Sequence, residues 1–167
     1  MVKVSVLIPT YNRASMLPFA LESVQRQTLT DIEILVGSDG STDGTEALVD
    51  RMRSDDPRIR LMSFSHQGSC QTANNLLAHA RGKYVAILSD DDFWASTFLE
   101  RCTVFDPYWY ALSYSDFYTT NTHTIREVSP ASPPRQCTVA LSDIRYNCTV
   151  NLSAAVLSRW FLDVLVD

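Results

Sequence analysis

Four short apolar runs, separated by three segments of helical spacing, set what this chain can fold into. The runs cover residues 3–8, 32–36, 58–64 and 83–88. Between the first two, residues 14–28 carry Leu17, Ala20, Leu21 and Val24 on one side of a helix. Residues 45–52 repeat the pattern with Ala47, Leu48 and Met52, and residues 69–80 with Leu76, Leu77 and Ala80. Gly82 follows and is expected to end that third helix. Strands alternating with helices of this length imply β-α-β units and a mainly parallel sheet. Helices then cover both faces, so the strands are apolar throughout instead of alternating. After Asp92 the pattern changes. A short helix is expected over 96–104, a strand over 108–119 and its hairpin partner over 120–128. Three prolines make 129–134 a loop. A helical turn over 141–146, a strand over 149–156 and a helix over 159–166 complete the expectation. No repeat is present, and 167 residues suit one domain with a real core.

The fourth run ends in an unusual way. Val85-Ala86-Ile87-Leu88 is followed by Ser89 and three consecutive carboxylates, Asp90, Asp91 and Asp92. Adjacent like charges repel and contribute nothing to a core. A cation among them removes the repulsion, and Mg²⁺ is usually held by one or two carboxylates plus substrate phosphates. Parallel sheets also place their ligands beyond the carboxyl ends of the strands. The competing explanation is an acidic turn or helix cap, where Asp is favoured. The first run ends in Pro9-Thr10-Tyr11-Asn12-Arg13, a second polar cluster on the same edge if the strands are parallel. For Asn12 or Arg13 alone, a turn before a helix is the stronger reading. Residues 37–44, Gly-Ser-Asp-Gly-Ser-Thr-Asp-Gly, form a loop by composition but match neither common phosphate-binding glycine pattern. Asp39 is a candidate acceptor for a base N–H, whereas Asp43 is better explained as a helix cap. Three polar strand ends on one edge are what a nucleotide pocket with a metal needs.

Charge and composition narrow the partners. A net charge of −5 and a pI of about 5.1 argue against a nucleic-acid partner bound through a basic face. No apolar run approaches the roughly 20 residues that span a bilayer. The first eight residues lack a signal-peptide pattern, so a cytoplasmic protein is expected. Cys70, Cys102, Cys137 and Cys148 have no metal-ligand spacing and are expected as reduced thiols.

Taken together, several pieces resemble family 2 glycosyltransferases. They are Pro9-Thr10-Tyr11-Asn12, Gln27-Thr28, Asp39-Gly40-Ser41-Thr42-Asp43, Gly68 with Asn74, and Gly82-Lys83-Tyr84 leading into Ser89-Asp90-Asp91-Asp92. Their order and spacing match over residues 1–105. Residues 106–160 look more loosely like the bacterial spore-coat polysaccharide type. The resemblance implies a three-layer α/β/α GT-A fold (the nucleotide-diphospho-sugar transferase fold) with a mainly parallel central sheet. Residues 1–105 would be the donor-binding half, and 106–167 part of the acceptor-side half.

The resemblance also implies roles. Thr10 and Tyr11 would line the base and ribose pocket, with Pro9, Asn12 and Asn74 beside the nucleotide. Asp39 would accept from uracil N3–H; Ser38 stands where the family often has a second acid. Ser89-Asp90-Asp91 would be the DXD-type motif. Asp90 would hold the ribose or assist the metal, and Asp91 would bind Mn²⁺ or Mg²⁺ between two phosphates. Ala73 replaces a basic residue of the family, so the diphosphate has one cation fewer. The implied activity is metal-dependent, inverting transfer from a UDP-sugar to a sugar, lipid-linked or polysaccharide acceptor. The family's general base falls in a segment that would begin near Asp167, so no catalytic base is assigned. The alternative is a donor-binding module that binds UDP and metal without efficient turnover. A nucleotidyltransferase is disfavoured, because no glycine-rich basic loop follows the first strand.

Overall fold

The computed structural model describes residues 1–104, 112–114 and 155–159. In chain order the elements are β1 (Val4–Thr10), α1 (Leu17–Gln25), β2 (Ile32–Asp39), α2 (Thr45–Asp55), β3 (Ile59–Phe64), α3 (Ser69–Leu77), β4 (Tyr84–Ile87), α4 (Phe98–Cys102), β5 (Leu112–Tyr114) and β6 (Ala155–Ser158). They build one sheet in the order β3-β2-β1-β4-β6-β5. The first four strands of that order are parallel, β1 pairing Val4 with Ile32 on one side and with Tyr84 on the other. β6 runs antiparallel to β4 and to β5. The mainly parallel α/β sheet expected from the alternating pattern is therefore present. Strand order reverses direction between β1 and β4, and such a switch point opens a crevice at the carboxyl ends of the two strands.

Side chains alternate between two buried layers, as a strand requires. Val4, Val6 and Ile8 of β1 and Ile32, Ile34 and Val36 of β2 pack with Leu17, Leu21 and Val24 of α1, Val49 of α2 and Leu99 of α4. Leu7, Leu35 and Val85 point the other way, against Leu76 of α3. Helices thus cover both faces, and each leucine or isoleucine so buried contributes about 1.5–3 kcal/mol.

Several boundaries differ from the sequence expectation, each for a local reason. β2 continues through Gly37, Ser38 and Asp39 instead of ending at Val36, because β3 pairs with all three and β1 with the first two. Gly37 is needed there, since a Cβ would lie 2.7 Å from the Thr72 methyl and 3.0 Å from Leu76. α1 starts at Leu17 and not at 14, with Pro18 in its first turn, where a missing N–H costs nothing. It ends at Gln25, and Gln27 turns its amide elsewhere. Gly82 is not the cap of α3, whose C-cap is Ala78. Its N–H donates to Ser5 Oγ at 2.8 Å, and a Cβ there would lie 2.5 Å from the Ser5 nitrogen. Close packing against β1 explains it. Asp43 does accept from the Thr45 N–H at the start of α2, although the cap position itself is Gly44 with φ +90°.

The expected acceptor-side half falls almost wholly outside the described residues. So do the 120–128 partner strand, the proline loop, the 141–146 turn, the helix after Arg159, and Cys137 and Cys148. The two described pieces, β5 and β6, extend the same sheet.

Candidate functional site

The carboxyl ends of β1, β2 and β4 bring most of the expected residues to one edge. At the β1–β4 switch point, Thr10 is buried and donates its hydroxyl to Asp90 Oδ2 at 2.8 Å. Asp90 is partly buried. Burial pushes its carboxyl above the ordinary value, and neighbouring Asp91 adds to the rise. Thr10, the Arg13 charge and the Tyr11 N–H act the other way without cancelling it. Asp91 is exposed, with Oδ2 3.8 Å from the Arg13 guanidinium. Asp92 closes a turn, its N–H donating to the Ser89 carbonyl at 3.1 Å. Among the described residues, no three acidic, histidine or cysteine side chains form a metal cage. The triplet is therefore not a closed three-carboxylate site. Its donor set nevertheless fits a hard divalent cation that takes one or two protein carboxylates and completes its shell with phosphate oxygens. The Arg13–Asp91 pair is exposed and weak, so it gives way to such an ion at little cost.

The β1–α1 loop is built around Asn12, the one non-glycine residue with positive φ, at 51°, among the described residues. Asparagine tolerates that region better than most side chains. Its Oδ1 accepts from the Thr42 N–H at 2.7 Å, and its own N–H donates to Ser41 Oγ at 3.1 Å. Asp43 accepts from the Ala14 N–H at 2.9 Å. Asn12 and Asp43 thus tie the loop after β1 to the loop after β2. Pro9 lies in β1 opposite Gly37.

Asp39, at the end of β2, is 2% exposed. Oδ1 accepts from the Gln67 N–H at 2.8 Å and the Thr72 hydroxyl at 3.0 Å. Oδ2 accepts from the Gly68 N–H at 2.9 Å and faces His66 Nδ1, also at 2.9 Å. Burial works to raise its pKa, but these hydrogen bonds and the nearby His66 outweigh it, and the result lies below the ordinary value. His66 also stacks on Tyr11, ring centroids 4.2 Å apart and planes 27° apart. The sequence reading did not single out His66 or Thr72; only the turn before α3 brings them to Asp39. Asn74 does not join this cluster. It sits exposed on α3, two residues and about 200° around the helix from Thr72, which faces Asp39.

Gln27 holds the chain that leaves the aspartate triplet. It is 4% exposed. Its Nε2 donates to the Ala95 carbonyl at 2.8 Å, and its Oε1 accepts from the Leu99 N–H at 2.9 Å. Ser23 Oγ accepts from the Trp94 N–H at 3.1 Å, and the Thr28 N–H donates to the Ser96 carbonyl at 2.8 Å. The 94–99 segment is thereby fastened along α1.

Comparison with known proteins gives this geometry a context. The family model described as Glycosyl transferase family 2 matches residues 5–121. The chain is 31% identical over 164 residues to the UDP-Glc:alpha-D-GlcNAc-diphosphoundecaprenol beta-1,3-glucosyltransferase WfaP of Escherichia coli, covering 93% of this chain and 61% of that protein. Three other curated relatives are matched over only 10% to 30% of their own length. Among solved structures, S. aureus TarS 1-349 in complex with UDP-GlcNAc superposes with a TM-score of 0.66 at 25% identity, over 75% of this chain and 37% of that one. The mannosyltransferase PcManGT from Pyrobaculum calidifontis, in complex with GDP-Man and Mn2+, shares the fold at a TM-score of 0.71 and 22% identity, over 98% of this chain and 46% of that one. The narrower spore-coat likeness is drawn on residues 106–160, nearly all outside the described set.

Proposed function

The chain belongs to glycosyl transferase family 2, with the GT-A fold of its structural neighbours, and from that premise we propose that it binds the nucleotide-sugar donor of a metal-dependent, inverting glycosyltransferase. The donor is a UDP-sugar. Support comes from the UDP-GlcNAc bound by TarS and the UDP-Glc named for WfaP. The acceptor is a lipid-linked or polysaccharide sugar, in keeping with the diphosphoundecaprenol carrier named for WfaP.

One observation carries the reading: Thr10 bonded to Asp90 at the β1–β4 switch point, with Asp91 and Arg13 beside them. In this reading Tyr11 and Asp39 form the base subsite. Asp39 accepts the uracil N3–H, a donor that neutral cytosine lacks. Pro9, in β1 opposite Gly37, and Asn12 and Ser89, in the turns after β1 and β4, shape the walls. Asp90 would hold the ribose or assist the metal, and Asp91 would be the main metal ligand. Mn²⁺ or Mg²⁺ held there would neutralise charge on the departing diphosphate. Arg13, released from Asp91, is placed to take a phosphate oxygen and so to stand in for the basic residue that Ala73 replaces.

Calorimetric titration with UDP, CDP, GDP and ADP, each with and without Mn²⁺, tests the proposal. UDP binding that is tightest of the four and strengthened by Mn²⁺ is expected. Equal affinity for all four, or indifference to the metal, would overturn it.

A further inference from the structure

We propose that His66 holds the nucleobase position of the donor site, so that a nucleotide enters by exchanging with the imidazole. The inference rests on the donor-site reading above and concerns how its base subsite works. The Asp39 carboxylate is met by three hydrogen-bond donors and one imidazole, and these four contacts are not equivalent. Three come from the Gln67 and Gly68 N–H groups and the Thr72 hydroxyl. Those groups belong to the turn before α3 and to a buried side chain, and leaving them unpaired is costly. The fourth is His66 Nδ1, 2.9 Å from Oδ2 and hydrogen-bonded to the Asp39 main-chain carbonyl at 3.1 Å, on a side chain 60% exposed. Only this fourth contact can be exchanged without dismantling the turn.

The imidazole reproduces what a base would do. It is a flat ring stacked on Tyr11, and its Nδ1 lies 2.9 Å from Asp39 Oδ2 and 3.1 Å from the Asp39 carbonyl oxygen. Uracil offers the corresponding pair of features, a stacking face and N3–H. Exchange therefore puts a base N–H before Asp39 Oδ2 in place of Nδ1 and keeps a stacked partner on Tyr11, while the Asp39 main-chain carbonyl gives up its Nδ1 hydrogen bond to solvent. The main chain at His66 stays in place, because it packs against Gly40. A Cβ on Gly40 would lie 3.1 Å from the His66 nitrogen, and Gly40 has φ +77°. The exchange is thus a rotation of one side chain into solvent.

An internal competitor lowers apparent affinity by the fraction of molecules in which the subsite is open. Removing it raises affinity, the opposite sign from removing a residue that contacts the base. It leaves the choice between bases unchanged, since Tyr11 and Asp39 remain. His66 in this reading sets donor affinity, and Asp39 with Tyr11 sets base identity.

The test is calorimetry of UDP and CDP with Mn²⁺ on the wild type and on His66→Ala, together with NMR of the wild-type His66 ring protons during UDP titration. His66→Ala should bind UDP roughly three- to tenfold tighter, the scale of one exposed charge contact and a stacked ring. Its UDP-to-CDP ratio should match the wild type. The His66 resonances should move to those of a solvated imidazole at saturation. Equal or weaker UDP binding by His66→Ala, or ring resonances that do not move, overturns the exchange. If neither protein binds UDP at all, the donor-site reading falls and the exchange falls with it, a result distinct from binding that is insensitive to His66.

Discussion

Thr10 donates its hydroxyl to Asp90 across the seam between β1 and β4, 80 residues apart in sequence and 2.8 Å apart in space. The bond sits where strand order reverses, and it holds one carboxylate of the aspartate triplet partly out of water. Burial raises the pKa of that carboxyl, so its charged form is disfavoured by folding.

The first prediction follows from the sign of that shift. With a folded pKa above the ordinary 3.8, the stabilising contribution is complete below that value and is lost as pH rises through the folded pKa. At neutral pH the Asp90 charge therefore costs stability. Asp90→Asn keeps an acceptor for Thr10 and removes the charge. Thermal melts should show a midpoint at pH 7 equal to or above the wild type, with the gain gone near pH 3. Metal-dependent UDP binding should weaken in the same variant. A lower midpoint at pH 7 would contradict the assignment.

Asp91 should behave differently. It is exposed, and its pair with Arg13 is long at 3.8 Å. Asp91→Ala should change stability by no more than about 1 kcal/mol, yet abolish the Mn²⁺ dependence of UDP binding. Denaturant titration and calorimetry separate the two effects, and unchanged UDP affinity in Mn²⁺ would remove Asp91 as metal ligand.

Asp39 combines both roles. Its oxygens serve two backbone N–H groups and the Thr72 hydroxyl, so Asp39→Ala should cost about 3 kcal/mol or more in unfolding free energy, besides losing UDP affinity. Its folded pKa lies below the ordinary 3.8, as does that of Asp56, which is held down first by its hydrogen bond to Arg58. Stability from both is present above 3.8 and is lost as pH falls through their folded values. Urea midpoints should therefore hold from neutral pH to about 4 and drop steeply below. A decline that begins near pH 6 would point to histidine instead.

Gln27 should matter for stability although it touches no proposed ligand. Gln27→Ala leaves the Leu99 N–H without its partner and the Ala95 carbonyl with the Phe98 N–H alone. A loss of about 2–3 kcal/mol is expected, with faster hydrogen exchange at the Leu99 amide. Wild-type protection at Leu99 in the variant would show that the segment is held by packing alone.

Much of the fold and of its polar edge was legible in the residues. Apolar runs and helical spacing identify β1 to β4 and α1 to α3, because burial on both faces of a parallel sheet demands those patterns. Thr10, Tyr11, Asn12, Asp39 and the aspartate triplet could be named because each lies within two or three residues of a strand end or is chemically out of place in a core. Gly82 looked like a helix stop, but it is a close contact with Ser5. Asn74 stands exposed on α3, apart from Asp39.

By itself, the sequence determined the layers, the parallel direction of the first four strands and the edge where polar groups collect, since hydrophobic periodicity is a local property of the chain. Tertiary structure alone decided which of those groups meet. Strand order 3-2-1-4 sets Thr10 beside Asp90, and the turn before α3 lays His66 over Tyr11 and Asp39. Those contacts join residues 27 to 80 positions apart, and no local pattern encodes them. They exist because burying two faces of one sheet fixes the positions of loops whose own sequences specify little.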